Sequence, residues 1–470
     1  MKSFLGSSNR RTRYYLLAGD FVGCLSSMAI SILVHYAADG DLVKALEHIL
    51  SISPFVKISV LFHLAFLFLS SSAVIAMVYL TVFYVMGLYE CDLILDMKRA
   101  VIKLGIAVFL TSLLLGALSY TVNKHNLVVQ VSLIYSLLLF TMLSCFRYVF
   151  LRLHRRAPKH IAIIEQDDLT EKALSHLESK GCAGLFEFDS FTEKEFFENG
   201  IRESQGKKRR FGTIVFPYAG KLSSKHLFTL IEDKFSGAAV CDSLTFFKNC
   251  TGSFPVSEIE PRWLVDFSSS IMLMSPVQRR VKRVLDVFLS LVLLFPSLPI
   301  MVLLAVLIKL TSKGPIIYKQ ERVGLHGREF PAHKFRTMVD KAEVKTGPVW
   351  TQKNDPRITR VGKIMRKTRL DELPQLFDVL IGNMSFVGPR PIRRVFESEN
   401  AKTIPFYFIR HLVKPGLTGW AQVSDIDPRA LDGPKRRFEY DLFYIHEYSL
   451  LLDAVIILKT VQKVLTAKGE

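Results

Sequence analysis

The chain has no closely spaced pair of cysteines. Its six (Cys24, Cys91, Cys145, Cys182, Cys241 and Cys250) are scattered, with no CxxC among them. That argues against a zinc site or a redox dithiol and for reduced packing residues facing a cytosol. Acids are scarce beside bases: 43 Asp and Glu stand against 61 Lys and Arg, a formal net charge of +18. Such a surplus calls for an anionic partner. Zinc-finger spacing, an RNP-like motif and a basic amphipathic reading helix are all missing, so nucleic acid is not the expected partner. No small-residue cleavage site follows the basic N-terminus, and further apolar segments come after it, which excludes a simple signal peptide.

Apolar sequence is abundant. Half of the 470 residues are hydrophobic and the mean hydropathy is +0.27. Within residues 1–155, four stretches at 14–37, 66–88, 100–120 and 127–151 reach about the 20 residues a bilayer-spanning helix needs. Lys2, Arg10, Arg11 and Arg13 precede the first; Arg147, Arg152, Arg155, Arg156 and Lys159 close the last. Lys98 and Arg99 mark the middle loop, and Asp39 and Asp41 the loop after the first stretch. By the positive-inside rule both ends are cytoplasmic, so the expected architecture is a four-helix transmembrane bundle. Asp20 is the main ionisable residue inside it and reads as a helix contact rather than a proton relay.

Residues 156–266 turn soluble. HIAII (160–164), GTIVF (212–216) and GAAVC (237–241) read as short buried strands, with a helical pattern over 169–179. Strands alternating with helices predict a Rossmann-like α/β middle domain. Glu165-Gln166-Asp167-Asp168 stands where a dinucleotide site would need glycines, and its acids would repel a pyrophosphate.

The third region, 267–470, opens with Arg279, Arg280, Lys282 and Arg283, then an apolar run from Val284 to Leu310. Lys309, Lys313, Lys319 and Arg322 follow, so both flanks are basic and a full crossing would put one cluster on the wrong face. Pro296 and Pro299 interrupt the run; each lacks a backbone donor. A re-entrant helix-break-helix over about 284–310 is expected, with Ser297 satisfying a backbone group freed at the break.

Downstream, Lys334 and Arg336 lie two apart, on one side of an extended strand. Arg366 and Arg369 precede Asp371 and Glu372, and Pro374 predicts a helix start beside these carboxylates. Adjacent acids near a helix N-terminus and arginines can hold a divalent cation with a phosphate; a capped helix with surface ion pairs is the plainer reading. Gly382–Pro391, which presents Arg390, and Lys414–Val423, which contains Gln422, are two turn-rich loops.

At these residues the sequence resembles the bacterial sugar transferases, the monotopic polyprenyl-phosphate phosphoglycosyl transferases. The matching strings are Lys282-Arg283-x-x-Asp286, KFRTM (334–338), LDELPQL (370–376), MSFVGPRP (384–391) and KPGLTGWAQV (414–423). Thr251–Phe267 is similar to the exopolysaccharide subgroup, and the upstream spans and α/β segment resemble the family's large form. The resemblance implies a mostly helical catalytic domain and a bacterial inner-membrane enzyme with that domain on the cytoplasmic face. It implies a UDP-sugar donor and an undecaprenyl phosphate acceptor. Asp371 is the implied nucleophile, forming an aspartyl-phosphosugar and releasing UMP. Asp371 and Glu372 would hold Mg²⁺; Lys334 or Arg336, with Arg366, Arg369 and Arg390, would grip phosphate, and Gln422 lies in a substrate loop. Asp286 would pair with a nearby Arg, and Asp441 would support the site.

Two departures stand out. Leu298 precedes Pro299 where the family usually has serine, with Ser297 one position earlier, and Ser424–Arg429 replaces a glycine- and arginine-containing loop. Two rival readings make different demands on the sequence. A membrane-bound nucleotide-sugar dehydratase or epimerase needs a glycine fingerprint and a Tyr-x-x-x-Lys pair; the fingerprint is absent and the pair falls only at Tyr120 and Lys124. A non-catalytic scaffold would be favoured by loss of the dyad or its arginines, which are all present. A homodimer paired through the N-terminal spans stays open, as do the sugar and the polysaccharide pathway.

Overall fold

Long apolar runs become long helices here, and short β-branched runs become parallel strands. A computed structural model describes residues 15–28, 73–89, 97–123, 126–154, 159–179, 186–197, 203–204, 207–208, 211–218, 222–235, 237–259, 276–340, 342, 347, 355–424 and 432–465. Several expectations fall elsewhere: the basic Lys2, Arg10, Arg11 and Arg13, the loop acids Asp39 and Asp41, Arg155 and Arg156, Cys91 and Cys182, residues 260–267 and the loop Asp425–Arg429 all lie outside the described residues. The chain divides into two units, Lys2–Thr251 and Gly252–Glu470.

In the first unit the described apolar helices are α1 (Tyr15–Met28), α2 (Ala73–Val85), α3 (Met97–Asn123) and α4 (Asn126–His154). Tyr79, Phe83, Leu104, Ala107, Leu139 and Leu143 form their shared core. Gly19 lets α1 meet α4, since a Cβ there would lie 2.1 Å from the Phe146 ring. Arg147, counted above as a flanking charge, is instead buried: it donates to Asp20 at 2.7 Å, with Tyr89 donating to the same carboxylate oxygen at 2.7 Å. Asp20 is thus a helix contact, one member of a buried ion pair with Arg147.

The sheet portion of this unit contains β1 (Lys159–Ile164), α5 (Asp168–Ser179), β2 (Phe186–Phe191), α6 (Glu193–Phe197), β3 (Thr213–Phe216), α7 (Ser224–Phe235), β4 (Ala239–Asp242) and α8 (Ser243–Thr251). Its four strands are all parallel in the order β2-β1-β3-β4. Strand β2, Phe-Glu-Phe-Asp-Ser-Phe, went unread because half of it is polar. After β1, Asp167 accepts from the Thr170 amide at 2.9 Å and from the Ser243 hydroxyl, so a carboxylate already occupies the start of α5.

The second unit holds α9 (Pro276–Thr311), a hairpin of β5 (Ile317–Val323) and β6 (Glu329–Phe335), α10 (Arg360–Thr368), α11 (Gln375–Ile381), β7 (Ser385–Val387), α12 (Arg394–Thr403), β8 (Gly416–Thr418), α13 (Trp420–Val423), α14 (Gly433–His446) and α15 (Leu450–Leu465). Residues 252–259 belong to it because Trp420 Nε1 donates to the Gly252 carbonyl at 2.7 Å and the Phe254 amide to Glu439 O at 3.0 Å.

Helix α9 is the one element among the described residues long and apolar enough to cross a membrane. It runs unbroken through Pro296 and Pro299, so the expected helix-break-helix is one continuous helix. Arg283 donates to the Val379 and Leu380 carbonyls at the end of α11 (2.5 and 2.6 Å), while Leu304 and Ile308 belong to a cluster with Phe335 and Met365 against which Leu370 and Leu373 pack. The prolines lie between these anchors, and Ser297 Oγ donates to the Leu294 carbonyl at 2.9 Å. Asp286 corrects another expectation: it accepts from Ser385 Oγ (3.1 Å) and the Phe386 amide (2.9 Å) rather than pairing with arginine. Phe288, Leu291, Phe295, Leu303 and Leu310 of α9 are exposed.

Candidate active site

Three anchors bring the site together. Thr359 caps α10 through the Gly362 amide (2.9 Å), and its own amide donates to Thr337 O (2.9 Å). Gly362 makes that approach feasible: a Cβ there would sit 2.1 Å from the Thr337 carbonyl oxygen. Helix α10 then ends at Arg369, in the left-handed region at φ 58°. The chain turns through a single 3-10 turn, Leu370–Glu372, and Pro374 leads into α11. The dyad therefore sits in the turn before the helix, close to where Pro374 placed it. Asp378 fixes α11 to β6 by accepting from the His333 amide (2.9 Å) and pairing with His333 Nδ1 (2.7 Å).

The two turn-rich loops turn out to pair with each other. Strands β7 and β8 form a parallel ladder, and the Gly388 amide donates to Thr418 O at 2.9 Å. Gly388 and Gly416 meet backbone to backbone: a Cβ on Gly416 would lie 2.0 Å from the Gly388 nitrogen. This ladder carries Arg390 toward the dyad.

Glu372 is the electrostatic hub. Lys334 Nζ and Arg390 Nη2 each lie 2.6 Å from its Oε1. Burial alone pushes the Glu372 pKa up, but Arg390 and Lys334 together outweigh it and hold the carboxyl well below the usual range. Burial lowers the Lys334 pKa, with Glu372 working against it. Asp371 is placed differently. It is 8 % exposed, and no hydrogen bond or ion pair reaches its carboxylate among the described residues. Burial, and then repulsion from Glu372, raises its pKa despite Lys334, Arg366 and Arg390 nearby. Arg366 donates Nε to Thr337 Oγ1 at 2.9 Å, with Asp371 in its field.

Lys334, Arg366 and Arg390 thus gather about the dyad, and the other expected residues do not. Arg336 donates to Ser312 O and Oγ (both 2.8 Å), beside the end of α9. Arg369 serves through its backbone, whose amide caps α10. Gln422 donates to Leu417 O at 3.3 Å inside its own loop. Pro296, Ser297 and Pro299 lie inside the continuous helix α9.

Two site residues escaped the sequence reading. Arg322 donates Nη1 to the Pro391 carbonyl (3.2 Å) and Nη2 to Gln320 Oε1. Arg410 donates to the Arg390 carbonyl at 3.0 Å and pairs with buried Asp441 at 2.9 Å. Together they clamp consecutive carbonyls of the turn that aims Arg390. The period-two run Tyr318-x-Gln320-x-Arg322 was a usable signal for the first. Arg410 had none.

No three His, Cys, Asp or Glu side chains converge among the described residues. A magnesium ion commonly takes one or two carboxylates and completes its shell with phosphate and water oxygens. Asp371 fits that pattern as an oxygen ligand with no competing donor; Glu372 is occupied by Lys334 and Arg390.

Asp371 is a buried carboxylate with no partner among the described residues, and Lys334, Arg366 and Arg390 lie around it and Glu372, an arrangement able to receive an anionic group. The family match agrees: residues 277–467 match the bacterial sugar transferase family, and the chain belongs to that family. Among its relatives is an exopolysaccharide production protein of Rhizobium leguminosarum bv. phaseoli, 42% identical over 197 residues that cover 40% of this chain and 96% of that protein. A UDP-N-acetylgalactosamine-undecaprenyl-phosphate N-acetylgalactosaminephosphotransferase of Aeromonas hydrophila is 43% identical over 198 residues, 42% of this chain and 47% of the relative. A UDP-glucose:undecaprenyl-phosphate glucose-1-phosphate transferase of Escherichia coli is 41% identical over 192 residues, 40% of this chain and 41% of the relative. The matched stretch spans less than half the length of these last two.

Proposed function

We propose that the protein transfers a sugar 1-phosphate from a UDP-sugar to undecaprenyl phosphate, starting the assembly of an exopolysaccharide, capsule or O-antigen. The observation that carries this reading is Asp371: a mostly buried carboxylate with no partner among the described residues, beside neutralised Glu372 and near Lys334, Arg366 and Arg390. In the first half-reaction an Asp371 oxygen attacks the donor's β-phosphorus. The bond from that phosphorus to the bridging oxygen breaks, and UMP leaves with the electron pair. In the second, a phosphate oxygen of the lipid attacks the aspartyl-phosphosugar, the bond from phosphorus to Asp371 breaks, and the carboxylate returns. Splitting one displacement into two is what a covalent nucleophile contributes. Burial favours the chemistry by making the Asp371 carboxylate more basic. Lys334 and Arg390 hold Glu372, and they and Arg366 face the phosphate oxygens. Mg²⁺, held by Asp371 with donor oxygens, would offset charge on the diphosphate.

The membrane arrangement is part of the proposal. Exposed apolar side chains on α1 to α4, such as Val22, Met77, Ile102, Phe109 and Leu137, suit lipid contact, in keeping with four cytoplasm-to-cytoplasm spans. Exposed Phe295 and Leu310 of α9, a helix with basic residues at both ends whose Arg283 and Leu304 both contact neighbouring elements of its own unit, favour a re-entrant helix entering one leaflet from the cytoplasmic face. The parallel sheet of the first unit is read as an accessory, Rossmann-like domain.

The test is UMP release by the solubilised protein with undecaprenyl phosphate and Mg²⁺ across a panel of UDP-sugars. Lipid- and metal-dependent release with one sugar supports the reading and names the donor. No release from folded protein with any of them contradicts it.

A further inference from the structure

Strand β5 carries a row of side chains that the proposed chemistry leaves unused. Tyr318, Gln320 and Arg322 alternate along it and so face one side of the hairpin. They are joined by contact: Gln320 Nε2 lies 3.4 Å from the Tyr318 hydroxyl, and Arg322 Nη2 donates to Gln320 Oε1. In the ladder Tyr318 stands directly opposite Lys334, the residue that grips Glu372, so the row begins at the dyad. Its far end returns to the site, because Arg322 bonds the Pro391 carbonyl next to Arg390.

Arg322 has no acidic partner at ion-pair distance among the described residues. Burial, with the like charges of Arg390 and Arg393 beside it, pulls its pKa down to about 10. A partly buried guanidinium lacking a carboxylate, among other arginines, is costly unless an anion arrives. Tyr318 is the complement: the residue is 39% exposed, and its aromatic ring offers a flat face beside that charge.

We infer that Tyr318, Gln320 and Arg322 form the subsite for the nucleoside monophosphate half of the donor, with Arg322 on the α-phosphate and Tyr318 against the nucleoside. The inference rests on the proposed transferase activity. A guanidinium matches a phosphate that departs on UMP, and an aromatic face matches a planar base or ribose edge. Lys334 and Arg390 are left for the phosphate that is transferred. A lipid phosphate shares this anionic chemistry, and the test separates the two sources.

Three quantities are to be measured for wild type, Arg322→Gln, Tyr318→Ala and Tyr318→Phe: the KM for the UDP-sugar, the KM for undecaprenyl phosphate, and the Kd of UMP by calorimetry. Arg322→Gln and Tyr318→Ala should each raise donor KM and UMP Kd roughly tenfold, with acceptor KM unchanged and Tyr318→Phe near wild type. A fall in kcat alone, the mark of a residue that only braces the Pro391 turn, would overturn the assignment. So would a shift in acceptor KM with UMP affinity intact, which gives the row to the lipid phosphate. Tyr318 is exposed, so its variants keep the test open if Arg322→Gln fails to fold. Wild type that releases no UMP with any donor refutes the transferase reading itself, whereas an active wild type whose variants leave donor KM and UMP affinity unmoved refutes this subsite alone.

Discussion

Asp371 and Glu372 are adjacent in one 3-10 turn, yet only Glu372 is neutralised: Lys334 and Arg390 each reach its Oε1 at 2.6 Å, and nothing among the described residues bonds Asp371. One carboxylate has become scaffold while the other stays available. Burial, and then repulsion from Glu372, moves the Asp371 pKa up, while Arg390 and Lys334 outweigh burial and move that of Glu372 down. Neighbouring acids whose environments separate their titrations are a recurrent way of dividing roles between two carboxyls.

A pH profile tests that division. The proposed nucleophile is the ionised Asp371, so activity should fall as pH drops through its raised pKa. The acid limb of kcat should therefore lie above the ordinary aspartate value of 3.8. The sign for folding is opposite: burying the charged form costs stability, so protonation at this one residue relieves the fold while it stops turnover. A limb at or below the ordinary value contradicts the assignment.

Glu372→Gln should cut kcat and also lower stability, by roughly 1–3 kcal/mol, because Lys334 and Arg390 lose their common anion. It should shift the acid limb to lower pH, since Asp371 loses a like charge and gains two cations. Thermal melting and a pH profile of the same variant check both halves. An unmoved acid limb would show that the two carboxyls do not interact.

Asp441 acts at one remove. Its carboxylate neutralises Arg410, which holds the Arg390 carbonyl, and both members of the pair are almost fully buried. Asp441→Asn leaves that guanidinium uncompensated, with an expected loss of about 3–5 kcal/mol in stability. At a temperature where the variant stays folded, kcat should fall because Arg390 is no longer aimed. Full kcat in folded variant would remove Asp441 from the site's support.

Cysteines placed at either end of α9, by Arg280→Cys and Lys313→Cys in a background without the native cysteines, report its path. A helix that enters and leaves one leaflet exposes both to a membrane-impermeant thiol reagent on the same, cytoplasmic face. Labelling from opposite faces means that the helix crosses.

Much of this was legible in the sequence, and the exceptions have physical causes. Lys334, Arg366 and Arg390 sit in local motifs whose turns and caps aim them; spacing alone left a phosphate site level with a capped helix and surface ion pairs, and it was the resemblance to the sugar transferases that singled them out. Strands of uninterrupted apolar residues such as HIAII were equally plain, whereas half-polar Phe186–Phe191 takes its place from pairing along the whole of β1, which no local pattern encodes. Arg336 shared a strand face with Lys334 on paper. The strand ends at Phe335, however, and the Arg336 amide donates to Ile316 O while its guanidinium turns to Ser312. Arg147 looked like a membrane flank because charge in an apolar run is read by position; its buried partner Asp20 lies 127 residues away. Arg410 acts through a backbone carbonyl, a role that any donor of the right reach can fill and that leaves no signature.

The most direct test of the account is to trap the covalent intermediate. Purified protein is incubated with its UDP-sugar and Mg²⁺ but no lipid phosphate, quenched in acid, and weighed intact and after proteolysis. The account predicts a mass gain of one sugar phosphate on the peptide containing Asp371, released on adding undecaprenyl phosphate before the quench and absent in Asp371→Asn. Turnover by Asp371→Asn, or a label on any other residue, would contradict it.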